Sequence, residues 1–123
     1  MKSDNVIIIG AGVAGLSCAG TLVKYGVSVE ILEKSLHPGG RCATRHSEYG
    51  NFDHGAQYFT ARTGGFQSLV KELQGKKIVK ELPFLVKKIT DIGQMVSLPS
   101  EPRYTAVPAM IALPQYLSDG LLV

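Results

Sequence analysis

The chain has 123 residues, of which 45% are hydrophobic and 19% charged, with a formal net charge of +3. That is enough chain for one small domain with a buried core, and the composition excludes wholesale disorder. The lysines between Lys71 and Lys88 are diluted by Glu72 and Glu81 and have no aromatic residues interleaved to form a platform, so they read as a solvated face and argue against a nucleic-acid partner.

The first predicted element is the apolar, β-branched run "NVIIIG" at 5–10, expected to be a strand buried on both faces of a parallel sheet. "VAGLSCAGTLVKY" is helix-compatible, and Gly26 is its natural stop. A second strand follows from Val27 to Glu33. A signal peptide is a poor reading of this start, because Asp4 spoils the basic region and Gly10, Gly12 and Gly15 interrupt the apolar one. A membrane span fails as well, since Lys24 arrives too early, and no membrane partner is expected. A βαβ unit explains more. Gly10-x-Gly12-x-x-Gly15 falls at the strand-to-helix turn. There Gly10 permits the turn, Gly12 lets a pyrophosphate approach, and Gly15 lets helix and strand pack closely. The helix N-terminus offers free N–H groups and positive dipole to phosphate. Glu33, closing the second strand, can accept hydrogen bonds from a ribose diol and disfavours a 2′-phosphate.

Next in the chain, Pro38-Gly39-Gly40 marks a turn that brings bare backbone near the nucleotide, and Arg41 adds a fixed cation suited to phosphate. Gly55-Ala56 is a second small-residue gap, set between aromatic residues. Phe66, Leu69, Val70 and Leu73 recur at helical spacing, predicting an amphipathic helix over 64–75 that stops at Gly75. "PFLVKKITD" and "QMVSL" predict two short antiparallel strands. Pro99, Pro102 and Pro108 mark a loop, and a helix is expected to begin near Leu113 with Pro114 in its first turn. Gly120 ends it, and "LLV" opens an apolar run. His37, His46 and His54 lack metal-ligand spacing and a visible nucleophile, and read as loop or surface residues. Cys18 and Cys42 also lack metal-ligand spacing and read as reduced thiols, consistent with a cytoplasmic protein. No metal site and no catalytic residue can be assigned.

Taken together, Gly10-Ala11-Gly12-Val13-Ala14-Gly15, Glu33-Lys34, Gly39-Gly40-Arg41 and Gly55-Ala56-Gln57 resemble the N-terminal part of the FAD-dependent amine-oxidase superfamily. The "DHGAQYFTAR" segment and "RYTAVPAMIALPQYL" are similar to its small bacterial, renalase-like branch. The resemblance implies an α/β fold, a Rossmann-like βαβ FAD-binding unit with the beginning of an antiparallel substrate-side sheet. The expected division is a FAD-binding unit over 1–75, the start of a substrate-side region over 76–107, and a return helix with the start of a strand over 108–123. By the same resemblance, residues 10–15 would hold the FAD pyrophosphate with Ala14 at the helix start, and Glu33-Lys34 would meet the adenosine ribose. Arg41 would lie on the phosphate or flavin side, and Ala56, Gln57 and Tyr58 would approach the isoalloxazine. The implied activity is hydride transfer from an amine-like or dihydronicotinamide-like small molecule to non-covalently bound FAD, with NAD(P)H a possible substrate and oxygen the expected acceptor. Members of that family are well over twice as long, so the chain is expected to be a fragment or a truncated product whose βαβ edge is left unpaired. Two rivals remain: an NAD-dependent oxidoreductase using the same βαβ unit, and a non-catalytic nucleotide-binding module.

Overall fold

A computed structural model describes residues 5–83 and 85–123. Strand β1 (Asn5–Ile9), helix α1 (Val13–Lys24) and strand β2 (Ser28–Leu32) come first. A short 3-10 turn (Gly40–Cys42) leads to the hairpin β3 (Thr44–Ser47) and β4 (Gly50–Asp53). Helix α2 (Gly64–Gly75), strands β5 (Val79–Glu81), β6 (Lys87–Ile89), β7 (Met95–Ser97) and β8 (Tyr104–Ala106), and helix α3 (Ala112–Ser118) complete the order.

β1 and β2 are parallel, with Val6 opposite Val29 and Ile8 opposite Ile31. The crossover is α1, which starts at Gly12 and ends where Gly26 turns the chain with φ 79°. Leu16 and Ala19 of α1 close over Ala11 and Ile31, with Ile8, Val29, Leu117 and Leu121 packed around them. A second core joins Val70 and Leu73 of α2 to Val79 of β5, Ala106 of β8, Met110 and Leu113. Leu117 of α3 touches both cores, so α3 ties the βαβ unit to the rest of the fold.

One expectation is corrected. β1 is buried on one face only, because α1 and α3 lie on the same side of the sheet. The residues that point the other way, Ile7, Ile9 and Leu32, are 60%, 79% and 48% exposed. The expected unpaired edge is also only half right. On the β2 side, Ile31 donates its N–H to the Leu122 carbonyl at 2.9 Å, and Leu122 bridges Glu30 in parallel. The closing apolar run therefore lies beside β2, whereas the outer edge of β1 has no strand partner among the described residues.

Of the expected antiparallel strands, β6 and β7 pair with Lys88 opposite Val96. The sequence reading missed β5, which pairs with β8, and the whole β3–β4 hairpin. Neither carries a run of alternating apolar residues long enough to read as a strand. α3 begins at Ala112 with Pro114 in its first turn, as proline's missing N–H requires.

The one-sided burial has a direct consequence for stability. Ile31→Ala removes a side chain that is 2% exposed and should cost about 2–5 kcal/mol. Ile9→Ala, at 79% exposure, should change stability by about 0.5 kcal/mol or less. Urea unfolding of the two variants checks this, and equal losses would mean that the bare face is covered in solution.

Candidate dinucleotide-binding site

The site is built from three loops. The first runs from β1 into α1. Gly10 adopts φ 97°, and its N–H donates to the Leu32 carbonyl at 2.8 Å, so the turn is fixed to the end of β2. Gly12 caps α1 without a side-chain hydrogen bond, leaving the first-turn N–H groups of Val13, Ala14 and Gly15 facing outward as helix geometry dictates. A Cβ built on Gly12 would meet nothing within 4 Å, whereas one on Gly15 would overlap the Gly10 carbonyl oxygen. The two glycines therefore serve different ends: Gly12 keeps space open in front of the helix, and Gly15 keeps helix and strand in contact behind it.

Glu33 joins this loop to the end of β2. Its carboxylate accepts the Ala11 N–H at 2.7 Å and the Ser35 N–H at 2.8 Å. These bonds, the one from Ala11 foremost, hold its carboxyl below the usual range. An ionised carboxylate has about four acceptor sites, so Glu33 keeps capacity for ribose hydroxyls while clamping the loop.

The second loop, Gly39 to Cys42, presses on the first. Gly39 donates its N–H to the Ala11 carbonyl at 2.9 Å, and the Cβ position of Gly40 lies 3.2 Å from the Gly12 Cα. The third loop presses on the second. Ala56 donates its N–H to the Arg41 carbonyl at 2.7 Å, and a Cβ on Gly55 would overlap that same carbonyl.

A cavity of about 880 Å³ lies among the three loops. Gly10, Gly12, Val13 and Ala14 line it from the first loop, and Ile9, Leu32, Glu33, Lys34 and Ser35 from the strand ends. Gly39, Gly40, Arg41 and Cys42 line it from the second loop, and Ala56 from the third. Ala11 is fully buried beneath it, and Gly15 packs behind it. Gln57 and Tyr58 fall outside the lining. Tyr58 instead stacks at 5.6 Å on Arg103, a buried cation missed in the sequence because it sits in an apolar, proline-rich stretch. Arg103 donates to the carbonyls of Glu101 and Pro99, and its Nε has no partner among the described residues. The Cys42 thiol is pushed above its usual value by burial first and by Asp53 second, so it is not an activated nucleophile. His46 is exposed and paired with Asn51 at 2.6 Å.

The residues present fit a dinucleotide: backbone donors at a helix N-terminus for phosphate, a carboxylate at the strand end for ribose, and an open place at Gly12 that a Cβ would fill. Fold and cavity thus define a dinucleotide-binding βαβ domain. Residues 8–73 match the family described as "NAD(P)-binding Rossmann-like domain". The chain belongs to that family. It is 51% identical over 51 residues to phytoene desaturase of Fusarium fujikuroi, a match spanning 42% of this chain and 9% of the relative. It is 33% identical over 105 residues to phytoene desaturase of Cercospora nicotianae, covering 81% of this chain and 17% of the relative. Among solved structures it is similar to putrescine oxidase with bound putrescine, at 26% identity and a TM-score of 0.53, covering 80% of this chain and 22% of that one. The chain therefore spans less than a quarter of each of these proteins.

The glycines separate fold from binding. Gly12→Ala should leave the melting temperature nearly unchanged, because the site is open and its φ of −79° suits any residue, yet should weaken dinucleotide binding. Gly15→Ala and Gly55→Ala should each lower the melting temperature, because a backbone carbonyl stands in the way. Thermal melts with and without ligand distinguish the two classes, and a Gly12→Ala protein that melts early would refute the division.

Glu33 also predicts a pH dependence. Its folded value lies below the unfolded one, so its contribution to stability is present above the unfolded value of 4.5 and is lost as pH falls through the folded value. Acid titration of wild type and Glu33→Gln should therefore show a stability difference near neutral pH that shrinks below 4.5 and closes as pH passes the lowered folded value. A constant difference across the range would show that the Ala11 clamp does not depend on charge.

Proposed function

We propose that this chain is the FAD-binding portion of an oxidoreductase that passes a hydride from an amine-like or dihydronicotinamide-like small molecule to the flavin, with oxygen as acceptor. One observation carries the reading: the Gly39–Cys42 and Gly55–Ala56 loops close on the same cavity as the first glycine loop and Glu33. A nicotinamide dinucleotide on a βαβ unit calls for the first loop and the acid alone. The two further loops add walls to the cavity, as a ligand with a larger ring system would need. The names of the relatives, a desaturase and an oxidase, both describe oxidations.

In this reading Val13, Ala14 and Gly15 present N–H groups to the pyrophosphate, and Glu33 accepts from the adenosine ribose. Arg41 places a cation at the cavity, and Ala56 gives the ring a flat backbone approach. The flavin, when bound, supplies the electron-accepting chemistry. Attachment of the flavin without a covalent bond is part of the proposal. The protein is proposed to act in the cytoplasm on a small molecule. No helix among the described residues is long and apolar enough to cross a membrane.

The NAD-dependent alternative is favoured by the wording of the matching family, which names NAD(P). Fluorescence titration separates the two readings. FAD should bind saturably, change its emission on binding and return to solution after acid precipitation. Glu33→Ala should weaken it about tenfold, and His46→Ala should leave it unchanged. A protein that binds NAD and not FAD would overturn the proposal.

A further inference from the structure

The β3–β4 hairpin carries a side-chain network that nothing in the binding of a dinucleotide requires. Thr44 and Asp53 face each other across the hairpin at its open end. The Thr44 hydroxyl donates to Asp53 Oδ1 at 2.6 Å and accepts the N–H of Ile111 at 3.1 Å. Both oxygens of Asp53 accept the N–H of Met110, each at 3.1 Å. Met110 is wholly buried in the second core, so the hairpin is fixed to a part of the chain that cannot move without opening that core.

The position of this network gives it a use. Just before Thr44 lies the Gly39–Cys42 loop, and just after Asp53 lies Gly55-Ala56. The chain leaves the network in two directions and meets itself again where Ala56 donates to the Arg41 carbonyl at 2.7 Å. The same turn reaches the second loop directly, since Ile111 Cδ1 lies 2.6 Å from where a Cβ on Gly39 would stand. The first loop and Glu33 have bonds of their own, from Gly10 to Leu32 and from Ala11 to Glu33, besides the one that the Ala11 carbonyl accepts from Gly39.

We infer that Asp53, with Thr44, is a positioning residue that sets the third loop against the second, and so shapes the end of the cavity away from the pyrophosphate. The assignment of a flavin ring to that end rests on the function proposed above. The coupling of Asp53 to Ala56 is a property of the chain alone.

Two ligands and one exchange measurement test this. ADP occupies only the ribose and pyrophosphate end, whereas FAD occupies both ends. Asp53→Ala should weaken FAD about tenfold or more and change ADP by about twofold or less. Amide exchange at Ala56 should speed up while that at Ile8 and Ile31 is unchanged. Asp53→Asn, which keeps one acceptor oxygen, should recover part of both effects. Thr44→Val, which keeps the shape and removes the hydroxyl, should repeat the pattern more weakly. It decides the matter if Asp53→Ala does not fold. Equal loss of ADP and FAD, loss of protection throughout the chain, or no change at Ala56 would overturn the inference. If wild type binds ADP but gains nothing from the flavin half of FAD, the functional proposal fails, and exchange at Ala56 alone then judges the role of Asp53.

Discussion

Everything at the cavity depends on backbone meeting backbone. Gly39 donates to the Ala11 carbonyl and Ala56 donates to the Arg41 carbonyl, at 2.9 and 2.7 Å. Hydrogen bonds of that length bring the loops so close that neighbouring positions have no space for a Cβ. This is why Gly40 lies over Gly12 and why Gly55 lies against Arg41. Ordering loops costs about 1–2 kcal/mol of backbone entropy per residue. The interloop bonds and the cores beneath them must offset that cost before any ligand arrives. A cavity formed in this way is already shaped, and a ligand need not order it.

The two cores give the loops unequal support. Beneath the first loop lie Ala11, Leu16, Ala19 and Ile31, contributed by one βαβ crossover. Beneath the third loop lie Val70, Leu73, Val79, Ala106 and Met110, gathered from α2, β5, β8 and the turn before α3. Leu117 joins the two. A disturbance in the second core reaches the third loop through the hairpin and through Ala56, and it reaches the start of α1 only through Val13, because the first loop rests mainly on the βαβ crossover.

That difference explains what could be read from the sequence. The βαβ unit was legible because its signals are local: an apolar run, glycines at the junction, helix-compatible residues and an acid at the strand end. The loops at Gly39 and Gly55 were legible as glycine gaps but not as partners, because no pattern says that Ala56 will meet Arg41. Tyr58 and Gln57 share a motif with Ala56, yet only Ala56 lines the cavity, because Tyr58 packs against Arg103 instead. The hairpin "TRHSEYGNFD" hides its strands because its residues are mostly polar and exposed. The expectation that β1 is buried twice over came from a continuous apolar run. Such a run specifies a strand, but it does not specify what covers each face.

Asp53 is the clearest case of a role beyond the reach of local pattern. It accepts hydrogen bonds from Met110, 57 positions away, and its partner Thr44 accepts one from Ile111, 67 positions away. In the sequence it is an ordinary acid before a histidine and a glycine. Its place in the fold exists only after α2 and the β5–β8 pair have brought residue 110 back to the hairpin. A long loop must close before such a bond can form, so the entropy of closure is spent first and recovered by the packing of Met110. Glu33 needs no such return, since its bond to Ala11 spans 22 positions within one crossover. The first glycine loop and Glu33 thus take most of their support from one contiguous crossover, and the third loop takes its support from the completed fold. Within residues 76–123, Met110 and Ile111 bear on the latter, whereas Leu117, Leu121 and Leu122 support the former.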